Sequence, residues 1–253
     1  MRKWNRLSDT IAVLALGIGS CLSAASAVAQ TQPDAPTPFK LAAGSYSVAG
    51  SGDLPAGPGL DVNLRYTYGQ GNVWIGWFRS PVLDFSQVRG GWDHVFSFGP
   101  VRVLPSLQSA SGGFRGGSLA VETGDRWFAG AGLGRTNLRR YANLNFDPND
   151  SYTVYGGYHW DASNIVTMQL VRDNRDNPDQ QHVHLLWRTT LAQGRQLIVD
   201  LLAKQGTVEN RFIRRGGLSF EYEWPVWSVR AAWDPKVNFT PQNMVRLSLA
   251  RRF

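Results

Sequence analysis

The sequence predicts an all-β chain, closed into an antiparallel transmembrane up-and-down β-barrel of about fourteen strands, with about twelve as the smaller count. Three observations predict it. Apolar and polar residues alternate with a period of two from residue 40 to the end of the chain. Turn residues interrupt that alternation at strand-length intervals, short connections taking turns with longer ones. Aromatic residues gather at one end of the strands so arranged.

The alternation is clearest over residues 59–69. Leu60, Val62, Leu64, Tyr66 and Tyr68 fall on one face, and Asp61, Asn63, Arg65 and Thr67 on the other. The same split sets Val183, Leu185 and Trp187 against His182, His184 and Arg188. It sets Leu218, Phe220, Tyr222 and Trp224 against Ser219, Glu221 and Glu223. Trp227, Val229, Ala231 and Trp233 oppose Ser228, Arg230 and Asp234. Residues 72–79 are apolar on both faces, and residues 128–134 are mostly small. Tight turns are expected at 69–72, 99–100, 124–126, 161–163, 192–194 and 224–226. Longer links are expected at 51–58, 79–84, 109–115, 137–150, 173–180, 206–211 and 234–241. With residues 40–50 as the first strand, the even count returns both termini to one end.

Composition agrees. The 253 residues are 43% hydrophobic with a formal net charge of +7, and the mean hydropathy is −0.25. Helical membrane spans need roughly 20 consecutive apolar residues, and only the N-terminus approaches such a run. A barrel tolerates a polar average because only alternate residues meet lipid. The basic residues are interleaved with apolar ones rather than clustered, so no nucleic-acid partner is expected. A soluble β-sandwich would also alternate. Here, however, nearly every residue after 40 belongs to a hairpin, and the last residue is part of a strand.

The domain reading is a signal peptide over 1–29, a short periplasmic leader over 30–39 and the barrel over 40–253. Arg2, Lys3 and Arg6 precede an apolar stretch at 10–20, and Ala27-Val28-Ala29 supplies the small-x-small cleavage pattern. Ile18-Gly19-Ser20-Cys21 also resembles a lipoprotein signal, but the small residues run on to Ala29. Cys21 is the one cysteine, so no disulfide framework is expected.

Placed on these hairpins, Tyr66, Tyr68, Phe96, Phe98, Trp127, Tyr158, Trp160, Trp187, Tyr222, Trp224, Trp227 and Phe253 form a ring at the end that carries the termini. The last strand closes on Phe253, with Val245, Leu247 and Leu249 on the same face. This resembles the insertion signal of bacterial outer-membrane barrels, from which Arg251 departs. In strand count and short leader the chain is similar to the small monomeric porins of Gram-negative bacteria. That resemblance implies outer-membrane localisation with periplasmic termini and a monomeric build. It also implies contact with outer-membrane lipid and lipopolysaccharide, and delivery by the barrel-assembly machinery.

Charges on a lipid face cost about 2–4 kcal/mol each at the midplane, so they are expected inside. The inward candidates are Arg65, Arg89, Asp93, Glu122, His182, His184, Arg188, Asp200, Arg215, Glu221, Arg230, Asp234 and Arg246. Such an interior suits a passive channel for small polar or charged solutes. A barrel of about fourteen strands is wider than the eight-stranded size that side chains fill. The longest loop, 137–150, could fold inward and narrow the pore, although Asp147-Pro148-Asn149-Asp150 reads first as a solvated loop held by Asx turns. One alternative is a non-transporting barrel that anchors or assembles an envelope or exopolysaccharide export complex. A second is a lipid-modifying enzyme using His94, His159, His182 or His184. His94 shares a face with Ser86, but eight residues at 3.3 Å each put them roughly 26 Å apart, too far for direct activation. His182 and His184, at i and i+2, have a spacing that could bind metal, yet no Glu or Asp follows at a spacing that completes a recognised site. No enzyme activity, cofactor or metal is expected.

Overall fold

The computed structural model describes residues 37–253 except 50–56, 145–146, 176, 209 and 240–241. The expected signal peptide, the Cys21 alternative and nearly all of the leader lie outside the described residues. The chain is a closed barrel of 14 antiparallel strands. They are β1 (Phe39–Ala49), β2 (Gly57–Tyr68), β3 (Gly71–Ser80), β4 (Phe85–His94 continuing as Phe96–Phe98), β5 (Val101–Ala110), β6 (Phe114–Gly124) and β7 (Trp127–Thr136). Then follow β8 (Ser151–His159), β9 (Asn164–Asp173), β10 (Gln181–Thr190), β11 (Gln196–Val208), β12 (Arg211–Glu223), β13 (Trp227–Asp234) and β14 (Asn243–Arg252).

Each strand pairs with its sequence neighbour, and β1 pairs with β14 from Lys40 opposite Arg252 to Ala49 opposite Asn243, which closes the ring. Closure removes the open edges that would otherwise leave backbone groups unpaired in lipid. The two pieces of β4 are one strand. Asp93 faces Ser106 before the gap and Phe96 faces Val103 after it, in unbroken register. The gap falls beside Pro105, which has no N–H to give the ladder.

One end of the barrel carries Phe39 and Phe253 and is called the terminal end here; the other is the loop end. Terminal-end connections are residues 69–70, 99–100, 125–126, 160–163, 191–195 and 224–226. At the loop end, 137–150, 174–180 and 235–242 are long. The expected strict alternation of short and long links does not hold at 81–84, 111–113 and 209–210. At 209–210 the reason is visible. β11 and β12 each run 13 residues, and their ladder continues to Val208 opposite Arg211, so residues expected in a link are strand.

The exterior is apolar. Leu60, Ile75, Leu107, Leu119, Met168, Leu201 and Leu247 all point outward and are exposed. At the terminal end, exposed Phe96, Phe98, Trp127, Trp160, Trp224, Trp227 and Phe253 form the aromatic ring. Residues 72–79 are apolar on both faces because Trp74 and Phe78 point inward: Phe78 packs edge-on to Tyr46 of β1, and Trp74 lies over Gly91 of β4.

Candidate functional site

The interior differs between its two halves, and loop 137–150 makes the difference. Its end is clamped by Asp150, which accepts hydrogen bonds from Thr136 N (3.0 Å) and Thr136 Oγ1 (2.5 Å) and pairs with Arg175 at 2.9 Å. Between these ends the loop turns into the barrel. Tyr141 stacks on Phe114 of β6 with ring centroids 4.1 Å apart. Gln87 of β4 reads the loop backbone twice, donating to Arg140 O (2.9 Å) and accepting from Ala142 N (2.7 Å). Arg89 donates to Ala142 O at 2.7 Å while pairing with Asp61 of β2. Arg246 of β14 donates to Leu144 O at 3.3 Å.

The small residues of β7 make room for this. Its inward positions include Gly130, Gly132 and Gly134. A Cβ on Gly134 would stand 2.4 Å from the carbonyl oxygen of Asn149, where the loop returns, and one on Gly130 would stand 2.4 Å from the Tyr155 ring. The loop brings Ala142 and Leu144 to an apolar cluster with Tyr46, Phe78, Leu202, Ala232 and Met244. The cluster's wall members, on β3, β1, β14, β13 and β11, lie along one half of the ring, and the loop, rooted in β7 and β8, packs against that half at the loop end.

Beside the cluster lies a fully buried group of ionisable side chains. Asp147, from the loop, places Oδ1 3.2 Å from His182 Nδ1 and 3.0 Å from His184 Nε2. The other nitrogen of His184 faces both oxygens of Asp200 on β11, at 3.0 and 3.1 Å. Burial works against the charge of Asp147, but the neighbouring imidazoles of His184 and His182 outweigh it and hold its carboxyl well below the usual carboxylate range. One side of the group is closed by Phe239 of segment 235–242, its ring 5.8 Å from that of His182. Next to it Lys204 pairs with Asp234 and donates to Lys236 O at 2.9 Å. Asp147, His182 and His184 are the described residues that could jointly ligate a metal, with one donor atom each, all within 4.8 Å of one another.

The terminal-end half is lined by half-buried charges. Lys40 pairs with Glu223 (2.7 Å) and Glu221 (3.4 Å), and Arg252 reaches Glu223 at 3.4 Å. Arg102 pairs with buried Glu122 at 2.6 Å, and Asp93 accepts from Asn72 at 2.7 Å. Arg65 stands directly opposite Lys40, and Arg188 opposite Ile165. Arg230 reaches Ser219 Oγ at 3.4 Å, whereas Arg246, in the loop-end half, lies over the Tyr46 ring at 5.0 Å. Arg215 stands opposite Lys204 and is exposed towards the loop end. Among the described residues, Arg65, Arg215, Arg230 and Arg246 form no ion pair.

All of the inward candidates therefore sit on the inner face, but they divide. Arg89, Glu122, His182, His184, Asp200 and Asp234 are buried in closed contacts. Arg65, Asp93, Arg188, Glu221, Arg230 and Arg246 are half-buried. The solvated Asx-turn reading of 147–150 is corrected, since Asp147, Asn149 and Asp150 are all buried. Sequence reasoning missed Asp147, Gln87 and Gln180 as partners of the wall. The available signal was the row of inward glycines on β7, which leaves space that something must fill. His94 faces outward, between Tyr68 (5.8 Å), Trp92 (6.2 Å) and Phe96 (4.5 Å). On the same outer face, Ser86 accepts from Trp77 Nε1 at 3.0 Å. Val245, Leu247, Leu249 and Phe253 face outward in a row.

No family model matches the chain, and no curated protein matches it in sequence. Among solved structures it is similar to the Acinetobacter baumannii outer membrane protein Omp33, at 11% identity and a TM-score of 0.58, covering 86% of this chain and 98% of that one. A bacterial polysaccharide outer membrane secretin is matched at 11% identity and a TM-score of 0.48, over 87% and 100% of the two chains. A mutant of the Rh. blastica porin is matched at 9% identity and 0.44, over 85% and 100%. The likeness to Omp33 is one of fold: this chain shares the closed β-barrel architecture of that outer membrane protein.

Proposed function

We propose that this protein is an outer-membrane channel for small polar or charged solutes, and that loop 137–150 sets how much of its lumen is open. The observation that carries the reading is the contrast between the two halves of the interior. The terminal-end half is lined by charges, two of them, Arg65 and Arg230, arginines that form no ion pair among the described residues, and a barrel of about fourteen strands is too wide for its wall side chains alone to fill. The loop-end half is occupied by a segment held through backbone hydrogen bonds to Gln87, Arg89 and Arg246. Such bonds can be exchanged for water without unfolding the barrel wall. The excess of unpaired arginine favours anions over cations in the lumen. Periplasmic termini fit the short connections at that end. The test is solute entry into liposomes holding the refolded protein, with sugars and sugar acids of increasing size. Uptake that favours the smaller and the acidic solutes supports the reading. Liposomes no more permeable than empty ones would overturn it.

The packing of loop 137–150 onto the apolar cluster along β11, β13, β14, β1 and β3 favours a second reading. In that reading the barrel stays shut and serves as an outer-membrane anchor for an envelope or exopolysaccharide export assembly. Impermeable liposomes, with the protein co-purifying with a stoichiometric envelope partner, would support it.

A further inference from the structure

We propose that Asp147, His182 and His184 bind one divalent transition-metal ion of the zinc type, which ties loop 137–150 to the barrel wall. Three independent features of the geometry point there.

The first is spacing. Two donors about 2.0–2.1 Å from a zinc ion, at a tetrahedral angle, stand about 3.3 Å apart. The two imidazole nitrogens lie 3.2 and 3.0 Å from the same oxygen of Asp147, the separations of donors that share an ion. The nitrogens are at most 4.8 Å from each other, a gap that small ring rotations close.

The second is an orphaned atom. Asp147 is 0% exposed, and its Oδ2 is buried without a hydrogen-bond partner among the described residues. A buried carboxylate oxygen left unpaired is costly, and a cation bound at this carboxylate would offset that cost.

The third is the support behind the ligands. Asp200 accepts from His184 Nδ1, which leaves the Nε2 lone pair directed at Asp147, as in carboxylate–histidine–metal arrangements. His182 Nε2 lies 3.2 Å from the Gln180 side-chain amide nitrogen; ligation through Nδ1 needs this amide turned over, so that its oxygen accepts from Nε2–H. Two imidazoles with one carboxylate favour zinc, copper or nickel over magnesium and calcium. Lys204, on the strand paired with that of the two histidines, is engaged by Asp234.

A proton can play the part of the metal, because a His184 protonated on both nitrogens would bridge Asp147 and Asp200 by itself. The experiment separates the two. The refolded full-length mature protein, stripped with chelator, is titrated with zinc in the presence of excess magnesium, and its metal content is measured after dialysis. We expect one zinc retained per chain and a rise in the thermal midpoint. Asp147→Ala should lose retention, and Asp200→Asn should weaken binding about 10- to 100-fold. Folding of each variant is checked by its migration as a compact barrel in unheated gels. If Asp147→Ala does not fold, cobalt(II) added to the native protein should give the visible absorption of a low-coordinate imidazole–carboxylate site. A native protein that retains no zinc, a folded Asp147→Ala variant that retains it equally, displacement by magnesium, or a colourless cobalt form would each overturn the site.

Discussion

Phe39 and Phe253 hold the first and last strands together: their rings stack with centroids 5.7 Å apart, and their backbones exchange hydrogen bonds of 3.1 and 3.0 Å in both directions. The final residue is thus a part of the seam that closes the barrel, in addition to any role it has in delivery. Deleting Phe253 is expected to lower the fraction of chain that reaches the heat-modifiable barrel form in the membrane, and Phe253→Trp is expected to restore it. Equal barrel yields for the deletion and the native chain would remove this role.

Arg89 ties two strands of the wall to the loop. It joins Asp61 of β2 to the backbone of Ala142 while buried. Removing one partner of a buried pair costs about 3–5 kcal/mol, because the other charge stays buried. Arg89→Ala is therefore expected to destabilise the folded barrel by about that amount in denaturant titrations followed by tryptophan fluorescence. The double variant Arg89→Ala with Asp61→Ala should lose less than the two single losses added together. Strict additivity would mean that the pair is not coupled.

The aromatic rings that lie over glycines on neighbouring strands give a test of interior packing. A Cβ on Gly130 meets the Tyr155 ring at 2.4 Å, whereas one on Gly216, on the outer face, meets nothing nearer than 3.4 Å. Gly130→Ala is expected to cost about 1–3 kcal/mol by overpacking, and Gly216→Ala to stay near neutral. The denaturation midpoints of the two variants decide it, and equal midpoints would contradict the packing.

Arg230 and Arg215 separate two places where selectivity could be set. Arg230 is half-buried in the lined half of the lumen, while Arg215 is exposed near the loop end. Arg230→Ala is expected to shift the reversal potential towards cations, with a smaller shift for Arg215→Ala. Both variants should insert normally. Unchanged potentials in both would exclude them as filter residues.

The wall of the barrel was legible in the sequence because it is local. The alternation from Leu60 to Tyr68 needs no distant residue to be read, and the observed strand ends at Tyr68. The interruption of β4 was not read, because it arises from Pro105 on the next strand. The interior was legible only as a list of polar residues. What they do depends on contacts far apart in sequence, such as Ala142 with Gln87 and Asp147 with His184, which alternation cannot report. For the same reason no short motif spacing joins His182 and His184 to their carboxylates, which lie 35 residues before His182, at Asp147, and 16 residues after His184, at Asp200. The inward glycines of β7 were visible, but as weak strand residues rather than as space for that loop.

The most direct measurement is single-channel conductance in a planar bilayer, comparing the refolded mature protein with a variant in which residues 138–146 are replaced by a short glycine–serine turn. Small steps from the native protein and larger steps from the shortened loop are expected, both with anion-leaning reversal potentials under a salt gradient. Folded barrels that stay silent in both forms would contradict the channel, and equal conductance in both would contradict the loop as the element that limits it.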